Sequence, residues 1–343
     1  MIIKSKEELN ACRQKLSEKL PIDAPIVVNI SLHDICNFRC NYCVHGNSRP
    51  SSLTNDQMPL EKFKQIIDNI SQLGKIKCLY FCGYGEPLLY PYICEAVEYV
   101  HKKDFVESIQ IVSNGSLLTN EMSDRLLHSG LNKIRISLQG VTANQYKETC
   151  SVNIDFKKVL NNIEYFYKQE KNFPCQIDGK IMRHMIPDNM SEKDIRHIFD
   201  GRINNLRVEN IAPCNGLENA DVGNYEFSIT GYEAGMVRIC PMPFYMLYVS
   251  PLGNVFPCCS SPLTEKCYGN LLKQDVHDVW LGKEHLKLLI GLLEENKALV
   301  LPHCINCHDF KYNTMPSDII DDVSDELLKK YRKIAKDKYN IVF

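Results

Sequence analysis

Three cysteines at Cys36-x3-Cys40-x2-Cys43, in the stretch SLHDICNFRCNYCVHG directly after an apolar run, constrain this chain more than any other feature. Thiolates are soft ligands suited to iron-sulfur clusters or zinc, and a four-iron cluster normally takes four of them. Three thiolates can hold such a cluster and leave one iron free for a substrate or cofactor to bind. A zinc site, or three buried thiols with no metal, is the plainer reading of the same spacing.

A second motif stands forty residues after Cys43, where the strand-like run KIKCLYF leads into Gly83-Tyr84-Gly85-Glu86-Pro87. Glycine permits positive φ and close backbone approach, and a Gly-Pro cluster after a strand is also an ordinary turn signal. Together, the CxxxCxxC run with Tyr42 just before its last cysteine and this loop resemble the signature of the radical S-adenosylmethionine (SAM) superfamily. The resemblance implies that Cys36, Cys40 and Cys43 hold a [4Fe-4S] cluster whose open iron is chelated by the amino and carboxylate groups of SAM. It implies that Tyr42, Gly83, Gly85 and Glu86 border SAM, with Glu86 accepting a hydrogen bond from its ammonium. Tyr84 stands where the family's loop has its first glycine. Asn114 in SNG and Ser137 in IRISLQG match positions that contact SAM or its ribose, and Gln139 lies on the same face two residues on. Polar residues at strand ends serve equally often as caps or solvated groups.

Composition suits an enzyme of the cytosol. A chain of 343 residues with 44% hydrophobic content can bury one large core or two domains. The net charge of -2 argues against a nucleic-acid surface held by bulk electrostatics. No apolar stretch is long enough to span a membrane, and the charged start MIIKSKEELNACRQKL is unlike a secretory signal, so cytoplasmic localisation is expected. Sixteen cysteines in such a setting point to metal binding or catalysis before disulfides.

A strand-then-helix rhythm organises the chain. A short amphipathic helix is expected over 5–20, closed by Pro21 and Pro25. Strands are predicted at 26–32, 76–82, 108–113, 133–138, 175–182 and 205–211, and helices at 59–73, 91–103, 120–129, 155–170 and 191–199. Alternation of this kind predicts an α/β fold with a parallel sheet, and sites in such folds sit at the carboxyl ends of the strands. The cysteine loop, the GYGEP loop and the SNG turn all follow strand ends and so share one face. The resemblance implies a partial (β/α)6 TIM-like barrel, expected over 25–215 after an N-terminal segment 1–24, then a cysteine-rich domain over 216–316 and a solvated helix over 317–343. The polar stretch PCNGLENADVGN between barrel and cysteine-rich domain reads as a linker or as the rim of a substrate mouth.

The last third holds a second constellation, Cys240-x17-Cys258 followed after 45 residues by Cys304-x2-Cys307. A CxxC knuckle places two thiolates on one metal and a distant pair completes four, a set that fits zinc or a four-iron cluster. The start CPMPF, the hairpin signal GNV, and the Gly269-Asn270 and Trp280 between the halves resemble the shortened SPASM, or twitch, domain that follows radical SAM barrels. That resemblance implies one auxiliary [4Fe-4S] cluster on Cys240, Cys258, Cys304 and Cys307, with Cys259 as the alternative to Cys258.

The chemistry so implied is reductive cleavage of SAM, with electrons from a flavodoxin- or ferredoxin-type partner, to a 5'-deoxyadenosyl radical that abstracts hydrogen from substrate. Twitch-domain enzymes of the SAM-dependent 2-deoxy-scyllo-inosamine dehydrogenase type are the nearest resemblance. Oxidation of an alcohol on a small-molecule substrate, a sugar or aminocyclitol, with the auxiliary cluster as electron acceptor, is therefore expected. Related epimerases return a hydrogen atom from a cysteine, for which this chain offers Cys150, Cys214, Cys259 and Cys267, although unpaired cysteines are usually small buried hydrophobes. Peptide maturation is a further alternative. Such enzymes often carry a leader-binding extension, and with some 24 residues ahead of the first predicted strand none is expected here. A zinc-bearing interaction module on an inactive barrel is the non-enzyme alternative.

Overall fold

The computed structural model describes residues 2–3, 13–47, 49–211, 226–260 and 266–341. In chain order its strands and helices are β1 (Ile2–Ile3), β2 (Val27–Ile30), α1 (Leu60–Ser71), β3 (Ile76–Phe81), α2 (Ile93–Lys103), β4 (Val106–Ser113), α3 (Asn120–His128), β5 (Lys133–Leu138), α4 (Ala143–Cys150), α5 (Phe156–Gln169), β6 (Gln176–Met182), α6 (Glu192–Phe199) and β7 (Asn205–Glu209). After these come β8 (Met246–Val249), β9 (Asn254–Phe256), β10 (Gly269–Asn270), α7 (Val276–Val279), α8 (Lys283–Leu293), α9 (Asp309–Asn313) and α10 (Ser324–Tyr339).

One sheet gathers all ten strands in the order β1-β7-β6-β5-β4-β3-β2-β8-β9-β10. From β2 to β7 neighbours are consecutive and parallel, with helices on the outer face, as expected of an open six-unit barrel. The cysteine-rich segment continues that sheet. Strand β8 pairs in parallel with β2, Val27 opposite Met246 and Ile30 opposite Val249, and β9 turns back antiparallel at Gly253, whose φ of 77° suits glycine.

Alternation along the strands separates two environments. Ile30, Leu79, Phe81, Ile109, Ile111, Ile134, Ile136, Ile177 and Ile181 join the core with Phe63, Ile66, Val97, Leu126, Ile163 and Phe166 of the helices. The opposite face, which lines the barrel lumen, carries Asn29, Tyr80, Gln110, Arg135, Ser137, Asp178, Lys180 and Arg207. Parallel sheets are usually apolar on both faces, so a polar lumen marks the working side of this one.

The expected helix over 5–20 needs correction. Its described part, from Arg13 onward, holds only a single 3-10 turn at Leu16–Glu18, while Ile2–Ile3 forms an edge strand on β7. Leu16 and Leu20 are buried in a second core with Phe244, Leu289, Leu327 and Tyr331, so their apolar spacing reflects docking of an irregular segment. Helix α4 is an addition that the strand-helix reading passed over. Helix α10 is amphipathic as expected but buries Leu327, Tyr331 and Ala335 in that second core. The stretch PCNGLENADVGN lies outside the described residues.

His285 of α8 is fully buried between Tyr268 and Trp280, with ring centroids 4.9 Å and 4.7 Å away. The Leu281 amide donates to Nδ1 at 3.1 Å, so Nε2 carries the proton and donates to the Pro243 carbonyl at 2.9 Å. Burial pushes the imidazole pKa down to about 4, below its ordinary 6.5. The unfolded chain therefore takes up this proton before the folded one does. Stability should be complete above about pH 6.5 and fall by roughly 3 kcal/mol between there and pH 4. Urea midpoints measured across that range should show the loss, and His285→Gln should flatten it.

Candidate active site

The three loops converge because the strand register makes their starting points neighbours. Ile30 lies opposite Phe81 of β3 and Val249 of β8, so the cysteine loop, the GYGEP loop and the hairpin turn between β8 and β9 leave the sheet side by side. Backbone bonds stitch them together, from Ser31 N to Val249 O at 2.9 Å and from Glu86 N to Ile35 O at 2.9 Å. Tyr84 ties both cysteine regions to its loop: its hydroxyl donates to the Cys259 carbonyl at 2.8 Å, and its own carbonyl faces His45 Nε2 at 2.6 Å. A tyrosine at this position thus has a cross-linking role that a glycine lacks.

A cavity of about 180 Å³ at this face is lined by Cys36, Cys40 and Cys43 together with Tyr42, Gly83, Gly85, Glu86, Asn114, Ser137 and Gln139. All the residues assigned from the sequence to the SAM side are brought together here. Burial pushes the Cys36 thiol up to about 11 and raises Cys43, and Cys40 is raised most of all by its contact with the Cys150 thiol and then by burial. Such a set resists ionisation without a cation, and a bound metal cluster supplies that charge. Gly83 and Gly85 are needed here for space rather than for φ. A Cβ at Gly85 would stand 2.1 Å from the His33 carbonyl oxygen, and one at Gly83 would stand 2.5 Å from Ser31 Oγ.

Glu86 is 3% exposed, and its Oε1 accepts from Ser113 Oγ at 2.7 Å and from the Leu88 amide at 3.0 Å. Its Oε2 accepts from the Asn114 amide at 2.7 Å and keeps a second lone pair. Burial raises its pKa, while these three donors favour the carboxylate. The geometry therefore leaves one acceptor position for an ammonium. The Asn114 side chain is engaged with Asn37 and Ser116, and the Tyr42 hydroxyl donates to Gln139 Oε1.

Helix α4 anchors the cysteine loop from below. Its carboxyl-terminal carbonyls at Cys150 and Thr149 accept from the Arg39 and Asn41 amides at 3.0 Å and 2.8 Å. Cys150, fully buried, packs its sulfur 3.5 Å from Cys40 Sγ among Phe38 and Tyr146. Cys150 does not line the cavity of Cys36, Cys40 and Cys43, and its packing against Cys40 suits support of the loop. Cys259 is exposed beside the Tyr84 hydroxyl, Cys267 is half-buried and lines neither cysteine cavity, and Cys214 lies outside the described residues. Strand alternation adds a cysteine that motif reading missed: Cys82 follows Cys78 and Tyr80 on the lumen face, with its thiol 3.5 Å from Asn29 Oδ1 and within electrostatic reach of Cys259 and Arg135.

Cys240, Cys258, Cys304 and Cys307 line one cavity of about 560 Å³, and Cys259 does not. The Cys240 thiol is pushed well up by burial and then by its three neighbours, and burial takes Cys304 and Cys307 to about 12. The same argument as for the first trio makes this a metal-ready donor set. Ligand atoms of His303, Cys307 and Asp309 lie within 4.8 Å of one another, placing two harder donors beside the Cys307 thiol.

Residues 30–200 match the radical SAM superfamily and residues 240–308 match SPASM, an iron-sulfur cluster-binding domain. The chain belongs to the radical SAM superfamily and carries a SPASM domain, so SAM and iron-sulfur clusters are its cofactors. Among curated proteins it is 25% identical over 309 residues to the AdoMet-dependent heme synthase of Methanosarcina barkeri, covering 78% of this chain and 85% of that one. BtrN in complex with AdoMet and 2-DOIA shares the fold at a TM-score of 0.50 and 18% identity, over 78% of this chain and 86% of BtrN. Streptococcus suis SuiB bound to its precursor peptide SuiA does so at 0.53 and 16%, over 87% and 72%. No described helix is long and apolar enough to cross a membrane.

Gly85→Ala requires the His33 carbonyl to move and should weaken SAM binding at least about tenfold, as overpacking of a tight site does. Equilibrium dialysis of labelled SAM against the anaerobically reconstituted variant measures this.

Proposed function

We propose that this radical SAM enzyme is an oxidoreductase that converts an alcohol of a hydroxylated small molecule, of the sugar or cyclitol kind, into a ketone. Cys36, Cys40 and Cys43 are assigned to the SAM-binding [4Fe-4S] cluster, and Cys240, Cys258, Cys304 and Cys307 to an auxiliary one. Bound there, these groups supply a SAM-derived radical that removes a hydrogen atom and an acceptor for the electron left after a proton departs. The observation that supports the reading is that Cys240, Cys258, Cys304 and Cys307 line one cavity, and four protein thiolates on one cluster would leave no iron for substrate.

The protein's own part is binding and orientation. Glu86 offers Oε2 to the SAM ammonium, Tyr42 and Gln139 hold one another at the cavity wall, and the Tyr84 hydroxyl fixes the loop before Glu86 against the loop after Cys258. The lumen below Ser137 and Lys180 is the enclosed space into which a substrate would project, away from water that would quench a radical. A one-electron reductant of the flavodoxin or ferredoxin type completes the scheme.

Epimerisation is the second reading, favoured by one observation. Cys82 faces the lumen directly before the GYGEP loop, where a thiol could return a hydrogen atom. Cys82→Ala should leave SAM cleavage intact and stop turnover only under this reading.

Iron analysis with Mössbauer spectra on anaerobically reconstituted protein tests the cluster assignment. About eight irons should fall to about four in the Cys36, Cys40 and Cys43 triple alanine variant. Cys258→Ala should likewise lose about four irons, while Cys259→Ala keeps about eight. Loss of all iron in the triple variant would remove the electron acceptor and with it the dehydrogenase reading.

A further inference from the structure

The lumen face carries six charged side chains across strands β5, β6 and β7, at Lys133, Arg135, Asp178, Lys180, Arg207 and Glu209. Two pairs neutralise four of them. Lys133 Nζ lies 3.1 Å from Asp178 Oδ2, and Lys180 Nζ lies 3.6 Å from Glu209 Oε2. Asp178 also accepts from Asn205 Nδ2 at 2.7 Å. Arg135 and Arg207 remain, and among the described residues neither guanidinium has an ion pair or a hydrogen bond to share. The Nε atoms of both are buried without a partner, and so is Oε1 of Gln110 on the same face.

Register locates the two arginines relative to the SAM cavity. Ser137, Lys180 and Arg207 lie opposite one another in one row across β5, β6 and β7, and Arg135, Asp178 and Asn205 form the row one step deeper. Ser137 and Lys180 line the SAM cavity, whereas Arg135 and Arg207 do not. From below, a cavity of about 350 Å³ reaches Tyr80 and Gln110, and the Tyr80 phenol lies within electrostatic reach of both arginines. The Arg207 guanidinium is disfavoured first by burial and then by the charge of Arg135. Each half-buried arginine leaves a buried Nε–H without a partner, which is costly for the free protein, and Glu209 and Asp178 offset part of the repulsion at Arg207. Guanidinium forks match carboxylate and phosphate oxygens in geometry as well as charge.

We propose that Arg135 and Arg207 form the anion-recognition end of the substrate site, so that the hydroxylated substrate carries a carboxylate or phosphate group. This deepens the functional reading above and rests on its placement of substrate in the lumen. An unmodified aminocyclitol, being a cation, meets like charge at these residues and is excluded as substrate. Arg207 stands in the row of Ser137 and Lys180 that borders the SAM cavity and Arg135 one row beneath it, so the anion is anchored beside and below that cavity and the remainder of the substrate reaches up toward Ser137 and Lys180.

Equilibrium dialysis of the anaerobically reconstituted full chain with inorganic phosphate and with malonate tests the proposal and separates the two anion types. Saturable binding of at least one probe is expected, weakened about tenfold or more in Arg135→Gln and in Arg207→Gln, with SAM affinity unchanged. Arg135→Lys and Arg207→Lys keep the charge but lose the fork. They should bind the probe severalfold more weakly than wild type, and they carry the test if the glutamine variants fail to fold. The surface variant Lys171→Gln should bind as wild type does. Absence of saturable binding in wild type, or binding that survives all four arginine substitutions, overturns the proposal. A parallel fall in SAM affinity also overturns it, by assigning the arginines to the SAM carboxylate. None of these results alters the iron counts, so failure here is distinct from failure of the dehydrogenase reading.

Discussion

Strand β2 is hydrogen-bonded in parallel on both sides, to β3 along Val27–Ile30 and to β8 along the same four residues. That double pairing is the constraint on which the rest of the site depends. A strand with a one-residue slip would turn Asn29 and Ser31 away from the lumen and carry the cysteine loop off its register with Phe81. Because β8 belongs to the cysteine-rich segment, the same register that aligns the SAM loops also sets where Cys258 and Cys259 leave the sheet. The chain bends at both residues, so that Cys258 lines the cavity of Cys240, Cys304 and Cys307 while Cys259 lies within electrostatic reach of Cys82.

The site is built from support outward. Glu86 satisfies three protein donors and holds one acceptor position in reserve, a form of preorganisation in which the carboxylate has little freedom left to lose on binding. Helix α4 plays the same role for the cysteine loop: carbonyls that a helix end leaves unmet accept from Arg39 and Asn41, so one set of hydrogen bonds both caps a helix and fixes the loop of Cys36, Cys40 and Cys43. Cys150 behind Cys40 belongs to that support. The lumen differs in kind, since the carboxylates there pair with Lys133 and Lys180 while the buried Nε atoms of Arg135 and Arg207 have no partner.

The helices and strands of the barrel were legible because their apolar periods are long and their caps are written locally, as in Thr119, Asp155 and Ser191. Helix α4 was signalled too, by Thr142 followed three residues later by Gln145, whose amide the Thr142 hydroxyl accepts at 3.3 Å. Its short apolar pattern hid it behind the longer α5. The segment before Pro21 misled for the opposite reason. Leu16 and Leu20 have helical spacing, but they answer to a pocket made by Phe244, Leu289 and Tyr331 and not to a neighbouring turn.

By itself the sequence determined the chemistry: soft thiolates at CxxxCxxC and in a second set of four, and a glycine-bearing loop ending in a carboxylate, all after apolar strands. Ligand type, loop position and strand period are local properties, so a single chain read in order carries them. Only the tertiary structure placed Cys258 and not Cys259 in the cavity of Cys240, Cys304 and Cys307, packed Cys150 against Cys40, and brought Cys82, Arg135 and Arg207 to one lumen. Those outcomes depend on which residues of separate strands stand in the same row, and a row exists only once hydrogen bonding between strands has fixed the register.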